Sequence, residues 1–224
     1  MPVFKYIDKD FFKTWGPEMA YVLGFLNADG NMSVSKRGAH FFSIQIADKE
    51  ILYAMRSAMH SEHVISTRLS LKDRKTLYRL QIGSMEMCDD LRKHGLHERK
   101  TDHLLMPTVP RKYSADFVRG YFDGDGNIWK GTVHKDRKTQ HETLQTAFTS
   151  CSKQFLEDLQ SLLGESLSVQ GSLVTLQKNR RKAAYRLQYS KRDSLQLFNF
   201  MYNGSTLRLE RKYRLFKGYI AALR

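Results

Sequence analysis

Two stretches of the chain end in an acid followed by glycine: Tyr21-Val-Leu-Gly-Phe-Leu-Asn-Ala-Asp-Gly-Asn31 and Phe117-Val-Arg-Gly-Tyr-Phe-Asp-Gly-Asp-Gly-Asn127. In each, small residues lie one helical turn apart, Gly24 with Ala28 and Gly120 with Gly124, so they share a helix face. Small residues at this spacing let two backbones approach closely. The geometry is best known from membrane helices, but the steric argument holds in water. Packed side by side, two such helices would bring Asp29 and Asp125 together at one end, the negative pole of both helix dipoles, where backbone carbonyls are left unpaired. Carboxylates and carbonyls in close quarters, those of Ala28 and Gly124 among them, repel one another unless a cation joins them. Oxygen-only ligation suits Mg²⁺ better than zinc; Mn²⁺ is expected to substitute, and Ca²⁺ to bind without supporting cleavage. Metal held this way can activate water, steady a pentavalent phosphorus and stabilise the leaving oxygen of a phosphodiester. Two equivalent sites near an axis would cut both strands of a duplex.

The acids need elements to hold them, and the sequence supplies those elements twice. Tyr78-Arg-Leu-Gln81 is echoed by Tyr185-Arg-Leu-Gln188, and Glu98-Arg-Lys100 by Glu210-Arg-Lys212, in the same order as the first pair of matches. This argues for duplication and fusion, with one half over 1–108 and the other over 109–224. The joint falls near Met106-Pro-Thr-Val-Pro110, where two prolines stop regular structure. Each half opens with a helix, begun by Gly16-Pro17-Glu18 in one and capped by Ser114 in the other, and closed by Gly30 or Gly126. Period-two texture predicts strands over 31–36 and 40–47, matched by 127–134 and 141–150. Helices follow from Asp48 to about His60 and from Ser152 to about Leu163, with Asp48 and Ser152 as N-caps. Strand pairs come next over 64–71 and 76–83, then 167–177 and 183–190, and helices over 84–94, 192–202 and 207–222. The order αββαββα, twice over, is an α+β architecture.

The chain has 224 residues, 41% hydrophobic and 27% charged, within the range of soluble globular proteins. No apolar run approaches the roughly 18 residues that cross a membrane, and the N-terminus lacks a signal-peptide core. Cys88 and Cys151 fit no zinc or redox spacing and read as thiols of a reducing compartment, cytoplasmic or organellar. Lys and Arg total 37 against 23 Asp and Glu, a formal charge of +14, which attracts polyanions. Asp123-Gly-Asp-Gly-Asn127 invites an EF-hand reading, but that loop needs glycine at its sixth position and an acid at its twelfth, and Ile128 and His134 stand there.

Val22-Leu-Gly-Phe-Leu-Asn-Ala-Asp-Gly30 and Val118-Arg-Gly-Tyr-Phe-Asp-Gly-Asp-Gly126 resemble the two LAGLIDADG motifs of the homing endonuclease family, and the resemblance runs from about Trp15 to Leu223. It implies two pseudo-symmetric αββαββα halves whose four-stranded antiparallel sheets form a saddle over DNA, with the motif helices as the interface. It also implies that Asp29 and Asp125 are the metal ligands, and that Lys100 and Lys212 are the lysines the family places near the active centre, where they can polarise water or screen phosphate. Two positions depart from the motif. Asn27 takes the first acid position that Asp123 fills in the second motif, which touches a helix-end role rather than the metal. Arg119 stands where a small apolar residue is usual and is expected to point outward. Asp48 and Ser152 fall where relatives have a polar residue in the water network, although capping accounts for both.

A four-stranded sheet offers one face to helices and the other to a ligand. Arg79 and Gln81 alternate with Tyr78, Leu80 and Ile82, and Arg186 and Gln188 with Tyr185, Leu187 and Tyr189, so the polar sets share a face. Arg suits guanine O6/N7 and Gln suits adenine N6/N7 in the major groove. Arg68, Ser70 and Lys72 extend this face in the first half; Lys130, Thr132, His134 and Gln177 are the candidates in the second. The hairpin tips, with Lys72, Arg74 and Lys75, with Arg137 and Lys138, and with Lys178, Arg180 and Arg181, are expected to touch phosphate. The halves differ in these residues, so the target should be long and not strictly palindromic. The reading is a monomeric, Mg²⁺-dependent endonuclease making double-strand breaks, with double-stranded DNA as partner and no membrane or obligate protein partner. The alternatives on the same scaffold are a maturase, with intron RNA as its partner, and a DNA-binding protein that does not cleave.

Overall fold

A computed structural model describes residues 5–69, 75–98, 103–133, 141–176 and 183–222. Helix α1 (Pro17–Asp29) starts behind Gly16 with proline in its first turn, and every residue from Met19 to Asn27 is buried. A helix apolar all round belongs in the middle of a protein, and this one has no amphipathic stripe to show. It leads without a linker into β1 (Gly30–Val34), followed by β2 (His40–Ile46), α2 (Lys49–Ala58), β3 (Ile65–Leu69), β4 (Thr76–Gly83) and α3 (Met85–Lys93). The pattern returns as α4 (Ser114–Asp125), β5 (Asn127–Val133), β6 (His141–Ser150), α5 (Lys153–Leu167), β7 (Ser172–Thr175), β8 (Tyr185–Tyr189) and α6 (Lys191–Tyr202), with α7 (Glu210–Ala221) added. The order αββαββα thus occurs twice, and the fold is α+β.

Both sheets are antiparallel and four-stranded, ordered β1-β2-β4-β3 and β5-β6-β8-β7. Alternation puts Phe42, Ile44, Leu80 and Ile82 on the buried face of the first sheet, which shares its core with Ile51, Leu52 and Met55 of α2 and Met87 and Leu91 of α3. In the second, Leu144, Phe148, Leu187 and Tyr189 do the same with Phe155, Leu159 and Leu163 of α5 and Leu197 and Met201 of α6. Phe198 stacks on Tyr213 at 5.8 Å and joins α7 to α6.

The chain divides into two compact units. One holds the first repeat together with Pro107–Gly124 and Thr206–Leu209; the other holds Asp125–Ser205 and the chain from Glu210 on. Helix α4 therefore groups, up to Gly124, with the first repeat. Three local expectations need correction. Helix α5 runs on to Leu167, where a strand was expected to begin, and stops at Ser168 in the left-handed conformation (φ 54). Ser114 does not cap α4: it is already helical (φ −59, ψ −39), because a 3₁₀ turn at Arg111–Tyr113 delivers the chain into the helix. Asp48 occupies the N-cap of α2 without a side-chain capping bond, whereas the Ser152 hydroxyl accepts from the Phe155 N–H at 3.3 Å.

Candidate metal centre and nucleic-acid interface

Helices α1 and α4 pack backbone to backbone, and glycine makes this possible. A Cβ added at Gly24 would run into the carbonyl oxygen of Phe117, one at Gly120 into that of Tyr21, and one at Gly124 into the Cβ of Ala28. Gly24 and Gly120 thus play the same part for opposite partners, as the one-turn spacing of small residues predicts. The contact continues to the last turn, where that Gly124 position lies 3.5 Å from the Asp29 N–H nitrogen. Asp29 and Asp125 end the two helices, and both are exposed. Gly30 is needed for space rather than for a left-handed turn: its φ is −79, and a Cβ there would sit 2.5 Å from the Leu26 carbonyl oxygen.

The second motif carries buried polar anchors. Asp123 is fully buried; its Oδ2 accepts from the Tyr21 hydroxyl at 2.8 Å and from the Leu209 N–H at 2.7 Å. Arg119, expected to point outward, is 3% exposed. Its Nε donates to the Leu207 carbonyl at 2.8 Å, its NH2 to Asp116 at 2.6 Å, and its guanidinium lies over the Tyr21 ring. The departure from the motif holds Leu207, in the segment that leads into α7. Nothing in the local spacing marks this, since the partner segment is distant in sequence. The Lys212 ammonium, in the first turn of α7, donates to the Gly126 carbonyl at 2.7 Å, one residue past Asp125. Lys100 lies outside the described residues, but Glu98, just before it, pairs with Arg92 at 2.5 Å.

Residues 112–201 match the family model of a LAGLIDADG-like domain. The chain as a whole has the fold of LAGLIDADG nucleases: the meganuclease I-AabMI bound to uncleaved DNA superposes with a TM-score of 0.60 at 15% identity, covering 93% of this chain and 90% of that one. The homing endonuclease I-LtrWI bound to target DNA gives 0.63 at 11% identity, covering 96% and 90%. An uncharacterised protein of Methanocaldococcus jannaschii is 25% identical over 118 residues, 52% of this chain and 41% of that protein.

The two repeats set the same frame on the polar faces of their sheets. Register aligns Asn31, Ser43 and Gln81 across the first sheet, and Asn127, Ala147 and Gln188 across the second. One row over, Gln45 pairs with Arg79, and Thr149 with Arg186. Arg79 and Gln81 sit half-exposed on the first polar face, as do Arg186 and Gln188 on the second; Arg68 is exposed on β3, on the same side as Arg79. Lys130 and Thr132 were expected beside Arg186 and Gln188 but alternate onto the opposite side with Ile128; Lys130 pairs there with Glu142 at 3.1 Å. Trp129 and Gly131 hold the positions in question, and Gln145 faces Trp129. These residues and the Asn31/Asn127 pair were missed, though the asparagines end the matched repeats. Lys75 is exposed. Ser70, Lys72, Arg74, His134, Arg137, Lys138, Gln177, Lys178, Arg180 and Arg181 lie outside the described residues.

Proposed function

We propose that the chain is a divalent-metal-dependent endonuclease that binds double-stranded DNA and cuts both strands at a long, asymmetric site. The observation that carries this reading is the glycine-to-backbone packing of α1 and α4, each ending in an exposed aspartate. The +14 charge supports a polyanionic partner, and the fold relatives I-AabMI and I-LtrWI are bound to DNA. Both motifs lie in one chain, so the working form is a monomer.

Asp29 and Asp125, with the carbonyls of Ala28 and Gly124, are hard oxygen donors that fit Mg²⁺. Among the described residues no group of three or more His, Cys, Asp or Glu could hold a metal. The remaining ligands would be water and DNA phosphate, the usual complement of Mg²⁺. An ion held there would supply an activated water and offset charge on the leaving oxygen. Lys212, tied to the Gly126 carbonyl, keeps a positive charge beside Asp125 where phosphate charge must be stabilised, and Lys100 is assigned the matching role in the first repeat. Arg79, Gln81, Arg186 and Gln188 present donors and acceptors suited to base edges.

The test is selection of cleaved duplexes from a randomised library in Mg²⁺, with Ca²⁺ as the binding control. Asp29→Asn and Asp125→Asn should each abolish double-strand cutting while keeping affinity in Ca²⁺, and chelation should stop the wild type. Affinity should drop by about 10³-fold or more between 50 and 200 mM salt. Full cutting by either variant would refute the metal role.

A further inference from the structure

The polar face of the second sheet holds a hollow of about 270 Å³ lined by Asn127, Trp129, Gln145, Ala147, Arg186 and Gln188. The register explains its shape. Ala147 has Asn127 on one side and Gln188 on the other, Gln145 next along its own strand, and Trp129 and Arg186 on the diagonals. The smallest side chain thus forms a floor, ringed by amides, an indole and a guanidinium. Trp129 is 44% exposed although it faces a polar surface, and its ring lies over Gly131, where a Cβ would collide with it. The glycine lets the indole lie down along the strand and form a wall. In the first sheet Ser43 occupies the floor position and takes a bond from Arg79 NH2 at 3.3 Å. Alanine at 147 removes that acceptor, and the Arg186 Nε is buried with no hydrogen-bond partner. A buried donor without an acceptor calls for one from a ligand.

We infer that this hollow reads a thymine·adenine pair in the major groove, with the thymine 5-methyl on Ala147 and against the Trp129 ring. This deepens, and rests on, the DNA-binding reading above. The chemistry fits one base pair: alanine and aromatic rings contact the thymine methyl, and an amide such as Gln188 or Asn127 meets adenine N6/N7 bidentately. The first sheet has Ser33 and Phe41 where the second has Trp129 and Gln145, so the methyl sensor is specific to one half-site.

The experiment uses the whole protein and the duplex recovered from the randomised library, in Ca²⁺. Each thymine is replaced in turn by deoxyuridine, which removes only the methyl. Wild type should lose about fourfold in affinity at one position of one half-site, the worth of a buried methylene. Trp129→Ala and Ala147→Ser should each flatten that response while still binding the duplex, the second by placing a hydroxyl on the floor and giving Arg186 a partner. Wild-type affinity indifferent to deoxyuridine at every position, or a response unchanged in both variants, would overturn the inference and leave the DNA-binding reading standing. If no duplex is recovered and none is bound, that reading fails and this one with it.

Discussion

The two motif helices make the same steric bargain and then differ in what they hold. Gly24 on α1 and Gly120 on α4 each accept the other helix's carbonyl oxygen at a distance no side chain permits. Where α1 has Leu23 and Asn27, α4 has Arg119 and Asp123. Asn27 bonds locally, to the Leu23 carbonyl at 2.8 Å, while Arg119 and Asp123 reach the 206–209 segment. The first helix is a buried pillar, and the second also holds Leu207 and Leu209, in the segment ahead of the helix that carries Lys212. A duplicated element can therefore keep one shared interface and divide the remaining duties.

The largest expected effect breaks what the helices share. Gly24→Val and Gly120→Val should each cost more than about 4 kcal/mol, because backbone rather than a flexible side chain stands in the way. Thermal unfolding followed by circular dichroism should show little folded protein. Gly218→Ala, in open space on α7, should instead be neutral or stabilise by up to about 1 kcal/mol. Similar melting of all three variants would mean the helix contact is not what holds the pair.

The next two changes probe the difference. Arg119→Leu makes the second motif resemble the first and strands the Leu207 carbonyl and the Asp116 carboxylate; it should cost about 3 kcal/mol. Asp123→Asn, again copying the first motif, keeps the shape but weakens the bonds from the Tyr21 hydroxyl and the Leu209 N–H, for about 1–2 kcal/mol in denaturant melts. Cleavage should fall further than DNA affinity in Asp123→Asn, since α7 and Lys212 are positioned there rather than the sheet faces. Equal losses in both would show that Asp123 serves stability alone.

These anchors mark where sequence reading stops. The glycine spacing, the terminal acids and the alternation of Arg79 and Gln81 against Leu80 and Ile82 were legible, because each is a local period projected onto a helix or strand. The burial of Arg119 was not, since its partners lie at Asp116 and Leu207 and only the tertiary fold brings the second within reach. The face taken by Lys130 was misread for a different reason. Lys130 and Thr132 alternate with Trp129 and Gly131, which reads as a polar face against an apolar one, and only the register with β6 shows that Lys130 shares the side of buried Leu144. Helix α5 outruns its expected end near Leu163 because Gly164 does not break it; the left-handed Ser168 closes it instead.

The smallest contrast concerns the helices that follow the two sheets. Ser84 and Ser190 hold equivalent N-cap positions, on α3 and α6. The Ser84 hydroxyl accepts from the Met87 N–H at 3.2 Å, satisfying one of the first-turn donors. The Ser190 hydroxyl donates instead to the Asp193 carboxylate at 3.2 Å and makes no capping bond. Ser84→Ala should therefore cost about 1 kcal/mol. Ser190→Ala exchanges an exposed side-chain bond for water and should cost only a few tenths of that amount. Paired chemical denaturation of the two variants can resolve this difference. A larger loss at Ser190 would mean that the Asp193 contact, rather than the backbone cap, holds the start of its helix.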